Sequence, residues 1–181
     1  MNIVTELLPD TFLLQPDRFD EMRGSFVKTY NEKLWSKLGI DFDMKEEYYS
    51  VSRKGVIRGM HFQIPPEDHK KMVYCLGGSV LDVLLDLRVG PNYGKFASAV
   101  LSSENRQVIL IPKGIAHGFL ALEENSLMLY KTSTVHAPEF DRGIKWDSFG
   151  FEWSIEAPII SARDQQHPVF SEFDKSCFKK I

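Results

Sequence analysis

Val80-Leu81-Asp82-Val83-Leu84-Leu85-Asp86-Leu87 decides the fold class. Leu81, Val83, Leu85 and Leu87 fall on one side of an extended chain and Asp82, Leu84 and Asp86 on the other. This is the period of two that a β-strand imposes and an α-helix does not. Two carboxylates on one strand face mark either a solvated surface or a polar cavity, and residue type alone favours the solvated surface. If the strand belongs to a closed barrel, polar residues at its mouth become ligand contacts instead.

Outward from this segment, residues 96–101, 107–111 and 126–132 read as further strands rich in Val, Ile, Leu, Phe and Tyr. Turn signals at Gly90-Pro91-Asn92 and Ser102-Ser103-Glu104-Asn105 separate them, and hairpins are the expected connections. Residues 31–38 form the best helical candidate of the first half, with Leu34 and Leu38 one turn apart behind an Asn31 cap. The expected class is therefore mostly β, a sandwich or barrel with a few short helices. The 12 Gly and 9 Pro are scattered singly and no repeat occurs, so residues 1–181 are expected to form a single domain.

The 22 basic and 25 acidic side chains leave a net charge of -3 with no basic arm, so nucleic-acid binding is not indicated. Neither a signal peptide nor a bilayer-length apolar run is present, so membrane attachment is not expected. Cys75 and Cys177 offer neither a disulfide framework nor metal-ligand spacing, and a reducing cytoplasm is the expected compartment.

Three stretches concentrate reactive side chains: Arg58-Gly59-Met60-His61-Phe62-Gln63, His69-Lys70-Lys71, and Pro112-Lys113-Gly114-Ile115-Ala116-His117-Gly118-Phe119. Pro112-x-Gly114-x-x-His117 looks like the second metal motif of the cupins. The first motif would need a His-x-His pair, and here Gln63 takes the second position; Gln is a poor transition-metal ligand, so no metal is expected. No Gly-x-Ser-x-Gly elbow, phosphate loop or Gly-x-Gly-x-x-Gly is present. Acid–base chemistry is what remains. By residue type alone, Tyr130 is an ordinary strand aromatic, Lys71 a solvated surface lysine, and His61 and His117 are undecided between core and site.

Taken together these stretches resemble the sugar-nucleotide 3,5-epimerases of the dTDP-4-dehydrorhamnose 3,5-epimerase family. The similarity covers nearly the whole chain and also rests on Arg23-Gly24, Leu129-Tyr130-Lys131-Thr132, Ala137 through Trp146, and Ser161-Ala162-Arg163-Asp164. It implies a cupin-type jelly roll, no cofactor, a nucleotide-diphosphate sugar as substrate, and a homodimer in which an arm of one subunit helps complete the other's site. The implied product feeds deoxysugar supply for a surface glycan.

The resemblance assigns roles that the chemistry explains. A 4-keto group acidifies the hydrogens on C3 and C5; loss of one gives an enolate, and a proton returned to the other face inverts the carbon. His61 would be the base, imidazole being the side chain type best suited to proton transfer near neutral pH. Asp164 would fix its tautomer. Lys71 would stabilise the enolate oxygen beside His117. Tyr130 would be the acid on the far face, its phenol made more acidic by nearby cations.

Arg23, Arg58 and Arg163 resemble pyrophosphate and sugar contacts, since guanidinium forks suit diphosphate oxygens. Arg58 is expected on the same strand face as His61. Asp141 aligns with an acidic contact, and Phe26 falls among the binding positions.

The departures from the family pattern cluster at the nucleobase. Lys28 stands where a Glu is usual, Glu46-Glu47-Tyr48 replaces Gln-x-Asn, and His136 replaces a stacking Tyr. A carboxylate only accepts hydrogen bonds and would suit cytosine or guanine, so CDP- and GDP-sugars rival the dTDP-sugar. A 3,4-ketoisomerase and a sugar-nucleotide-binding cupin without turnover are the alternative functions.

Overall fold

The structure is a computed structural model and describes residues 1–178. In chain order the strands are β1 (Asn2–Leu8), β2 (Thr11–Gln15), β3 (Arg18–Glu21), β4 (Gly24–Val27), β5 (Glu46–Ser52), β6 (Ile57–Gln63), β7 (Lys71–Gly77), β8 (Ser79–Asp86), β9 (Phe96–Ser102), β10 (Val108–Ile111), β11 (Ile115–Ala121), β12 (Ser126–Thr132) and β13 (Asp141–Gly143). The helices α1 (Glu32–Lys37) and α2 (Ala162–Gln165) are short. Six strands form one sheet in the order β1-β2-β10-β7-β12-β5, and five form a second, β13-β6-β11-β8-β9. The two pack face to face as a cupin jelly roll. The ribbon β3-β4 belongs to neither.

β8 shows why these residues make this fold. Its alternation buries Val80 and Leu84 between the sheets with Val73, Ile109 and Met128. Val83 and Leu85 go to the opposite face, under Ile144, Phe149, Trp153 and Phe178. Both faces are covered because the chain beyond β13 wraps the outside of the five-stranded sheet. Each such aliphatic side chain contributes roughly 1.5–3 kcal/mol by leaving water, and a Leu85→Ala cavity would cost about 2–5 kcal/mol.

The outer face of the six-stranded sheet is covered differently. Trp35, Ile40 and Phe42 pack on Leu14, Met72, Tyr74, Val108 and Leu110. α1 delivers Trp35, and its expected cap is present, with Asn31 Oδ1 accepting from the Leu34 amide at 3.1 Å.

Two expectations are corrected. Asp82 and Asp86 are fully buried rather than solvated; period two shows which residues share a face, not whether water reaches it. The expected hairpin holds for β8 and β9, which pair directly, but β10 lies in the other sheet between β2 and β7. The turn at 102–105 therefore crosses the sandwich. Among the described residues, no helix is long and apolar enough to cross a membrane.

Candidate active site

A cavity of about 430 Å³ opens between the sheets. The five-stranded sheet contributes Arg58, His61 and Gln63 from β6 and His117 and Phe119 from β11; the six-stranded sheet contributes Glu46, Tyr48 and Ser50 from β5, Lys71 from β7 and Tyr130 from β12. His69, His136, Asp141 and Arg163 also line it. His61 and Tyr130 thus face one cavity from opposing sheets.

The His61 side rests on a register shift. β11 pairs His117 with His61 but Phe119 with Arg58, so β6 carries one extra residue against its partner. The shared face expected for Arg58 and His61 does not follow from an extended strand, whose strict alternation would send residues 58 and 61 to opposite faces; the bulge is what puts them on the same one. Gly59 sits inside the bulge with φ at +129°, and a Cβ there would lie 2.5 Å from the Gly118 Cα. Only glycine fits that approach.

Asp164 reaches His61 from behind. Its Oδ1 is 2.7 Å from His61 Nε2 and its Oδ2 accepts from the Gly59 amide at 3.2 Å. Ser161 caps α2 by accepting from the Asp164 amide at 3.1 Å, which holds the carboxylate in place. Burial pushes Asp164 up, but the His61 hydrogen bond and charge and the Gly59 amide outweigh it, and the carboxyl lies below its usual range. His61 therefore has an anion on Nε2, leaving Nδ1 free.

Deeper in the barrel, His117 Nε2 meets Asp82 Oδ2 at 2.7 Å. Burial pushes Asp82 up and His117 down, with their mutual attraction opposing both shifts. Lys71, expected at the surface from residue type, is 7% exposed. Burial pulls its ammonium down to about 8, against the charges of Asp141 and Asp82. It occupies the start of β7, opposite Thr132 on β12 and Ile111 on β10, and this pairing carries it inside.

On the opposing wall Tyr130 is 6% exposed, its hydroxyl 3.1 Å from Ser50 Oγ. The expectation of a more acidic phenol is overturned. Burial raises its pKa above the ordinary tyrosine value, and the Ser50 hydrogen bond and the Arg58 charge only partly offset this. Tyr48 stacks on it and is itself pushed up to about 12, by burial and then by the charges of Glu46 and Asp141. Both phenols stay protonated at neutral pH.

The rim is a network of paired charges. Arg163 Nη2 donates to Asp141 Oδ2 at 2.6 Å, and His136 Nε2 lies 3.1 Å from the same oxygen. The His136 amide donates to Glu46 Oε2 at 2.8 Å. Arg58 donates from Nε to Ser52 Oγ at 3.0 Å and from Nη2 to the Val51 carbonyl at 3.2 Å. Gln63 is tied to the backbone at both ends, donating to the Glu67 carbonyl and accepting from the Ala137 amide, each at 2.7 Å.

Arg23, Phe26 and Lys28 are not brought to this cavity. All three are exposed, Arg23 and Phe26 on the β3-β4 ribbon and Lys28 just beyond it. Residue reasoning missed Ser50 and His167. Single serines and histidines outside a motif leave no periodic trace, and only the strand register and the fold of the tail place them here. His69, within a stretch singled out for its reactive side chains, lines the cavity with its pKa pulled to about 3 by burial and then by Lys71, and is neutral.

A second cavity of about 550 Å³ is larger and lies elsewhere, near Arg88, Lys70 and Lys113. Its cations are already engaged: Arg88 with Asp86 and Asp10, Lys113 with Asp68, Lys70 with the Asp41 carbonyl. Chemistry and perturbed groups concentrate in the smaller one.

A jelly roll carrying a carboxylate-backed imidazole on one wall of a cavity and a phenol on the other defines a class: a β-barrel built for acid–base chemistry on a bound molecule. The profile of the dTDP-4-dehydrorhamnose 3,5-epimerase family matches residues 5–172. A dTDP-4-dehydrorhamnose 3,5-epimerase of Shigella flexneri is 34% identical over 178 residues, covering 96% of this chain and 98% of that protein. One from Pseudomonas aeruginosa is 37% identical over 176 residues, covering 94% and 96%. The crystal structure of the Legionella pneumophila dTDP-6-deoxy-D-glucose-3,5-epimerase, in complex with dTDP-4-keto-L-rhamnose, superposes with a TM-score of 0.93 at 29% identity, covering 99% of this chain and 98% of that one. The chain belongs to the dTDP-4-dehydrorhamnose 3,5-epimerase family.

Proposed function

We propose that this epimerase inverts C3, C5 or both in a dTDP-linked 4-keto-6-deoxyhexose, with His61 as base and Tyr130 as acid. The observation that carries the reading is the cavity itself, with His61 backed by Asp164 on one sheet and Tyr130 on the other. His61 Nδ1 takes the proton from the carbon next to the ketone, and the C–H electron pair moves into the enolate. On this reading Lys71 and His117, which line the same cavity, stabilise the charge that grows on the enolate oxygen. Tyr130 O–H then delivers a proton to the opposite face. The phenolate recovers its proton from water and the imidazolium loses its own, so the net change is stereochemical.

A phenol with a raised pKa is a weak acid but a dependable one, since it is never found ionised before its turn. An enolate carbon is basic enough to take that proton. Incubation in deuterium oxide followed by proton NMR tests the scheme. C3 or C5 of the recovered sugar should carry deuterium, and His61→Ala should lower wash-in roughly 100-fold or more; wash-in at the wild-type rate would overturn the base assignment.

The thymidine nucleotide is favoured by the names of the relatives and by the dTDP-sugar in the Legionella structure. Glu46 and His136 favour a second reading, a CDP- or GDP-sugar. Calorimetry with dTDP, CDP and GDP decides between them. The ribbon β3-β4, which exposes Phe19, Met22 and Phe26, fits an arm that docks on a second copy and brings Arg23 and Lys28 to the partner's cavity. On this reading residues 1–181 act as one domain, paired as a homodimer in the cytoplasm.

A further inference from the structure

Behind His61, one donor atom from each of His61, Asp164 and His167 converges, the three lying within 4.8 Å of one another. His167 Nε2 stands 3.5 Å from Asp164 Oδ1, beyond hydrogen-bond length; it is buried and has no hydrogen-bond partner among the described residues. A buried nitrogen left unsatisfied beside an anion calls for an explanation. The His167 ring stands edge-on to His61, centroids 5.6 Å apart and planes at 78°. It rests on Gly143, where a Cβ would overlap it. The backbone of β13 therefore leaves room for this imidazole and little freedom to turn away.

We propose that His61, Asp164 and His167 bind a borderline divalent transition cation of the zinc class, and that its binding switches the base off. Two imidazole nitrogens and a carboxylate oxygen are the donor set such ions accept, with further positions open to water. Magnesium and calcium, which want oxygen donors throughout, are poorly served.

The switch is a matter of tautomers. In the metal-free site the ring proton of neutral His61 sits on Nε2, shared with Asp164, and Nδ1 holds the lone pair that attacks carbon-bound hydrogen. A cation on Nε2 takes the lone pair there, so the single ring proton moves to Nδ1 and the base is lost. If the ring is doubly protonated, binding releases one proton to solvent. No electron is transferred in either case. Binding rests on the three donor atoms alone, whereas inhibition rests on His61 being the base.

The test uses the full-length protein with zinc chloride and cobalt(II) chloride in a non-chelating buffer. Calorimetry should show one zinc per chain. Bound cobalt should give the intense visible bands of a four-coordinate site. Saturating zinc should slow deuterium wash-in at least tenfold, and EDTA should restore it. His167→Gln should raise the zinc concentration for half-inhibition by roughly 10- to 100-fold, each protein being compared with its own metal-free wash-in. The site is overturned if zinc does not bind stoichiometrically, if cobalt shows only weak six-coordinate bands, or if His167→Gln is as zinc-sensitive as the parent; the base assignment would survive those results. Should the variant fold poorly, the cobalt spectrum of the unmodified protein still decides. Zinc bound through His167 with wash-in unimpaired would overturn the inhibition, and the base assignment with it.

Discussion

Tyr48 lies flat against Tyr130, ring centroids 4.8 Å apart and planes 13° from parallel, the two residues directly paired across β5 and β12. The stack and the Ser50 hydrogen bond together hold the phenol at one orientation. Such a contact is worth roughly 0.5–1.5 kcal/mol beyond area burial. Tyr48→Leu should keep an apolar side chain there while removing the stack that holds the Tyr130 ring. We expect the ratio of C3 to C5 inversion, read by NMR of the products, to change more than the rate of deuterium wash-in.

Removing the phenol's hydroxyl separates the two half-reactions. Tyr130→Phe leaves His61 and Asp164 in place, so proton abstraction and wash-in on the base's own side should persist. Net inversion should fall roughly 100-fold or more. Equal losses in both measurements would place Tyr130 outside the proton path.

The depressed pKa of Lys71 sets an alkaline limit. The ammonium stabilises negative charge only while protonated, so with a pKa of about 8 the useful form is present below that pH and is lost above it. The pH profile of kcat/KM should bend downward near 8. Lys71→Arg keeps its charge at any working pH, so whatever activity survives should lose that bend. A limb unchanged in the arginine variant would assign the titration elsewhere.

The exposed ribbon makes a mixing experiment possible. Arg23→Ala keeps a complete base but lacks the arm's cation, while His61→Asn keeps the arm but lacks the base. If arms serve the partner, a heterodimer has one intact site. Reassociation of equal amounts should then recover about a quarter of wild-type activity from two weakened parents. A mixture no more active than the average of its parents would keep Arg23 with its own chain, or out of catalysis.

Gly59→Ala tests the bulge. The new methyl would collide with the Gly118 backbone at a φ of +129°, a site-specific strain that should cost at least about 2 kcal/mol of stability. Chemical denaturation measures the cost directly, and a loss below about 0.5 kcal/mol would show that β6 relaxes without difficulty.

Much of the barrel can be read from residues alone, because strands such as Ser126–Thr132 declare themselves by a local period. Sheet membership cannot be read that way. Whether β9 hands on to a neighbour or crosses to the other sheet depends on which apolar face is still uncovered, and that is a property of the whole molecule. Lys71 shows the same limit for the site: a lysine beside a lysine looks like surface until the pairing of β7 with β10 and β12 carries it inside. Arg58 and His61 share a wall only through a one-residue slip whose cause, the close approach of Gly59 and Gly118, lies 59 positions apart in sequence. The carbon-acid chemistry was legible because several rare residue types recur together, whereas Ser50 and His167 entered singly.

The carboxylate behind His61 comes from the tail that wraps the outer sheet, long after the barrel strands have been laid down. On the proposed mechanism, a growing polypeptide therefore lays down the walls that carry His61 and Tyr130 before the residue that would orient the base has been made.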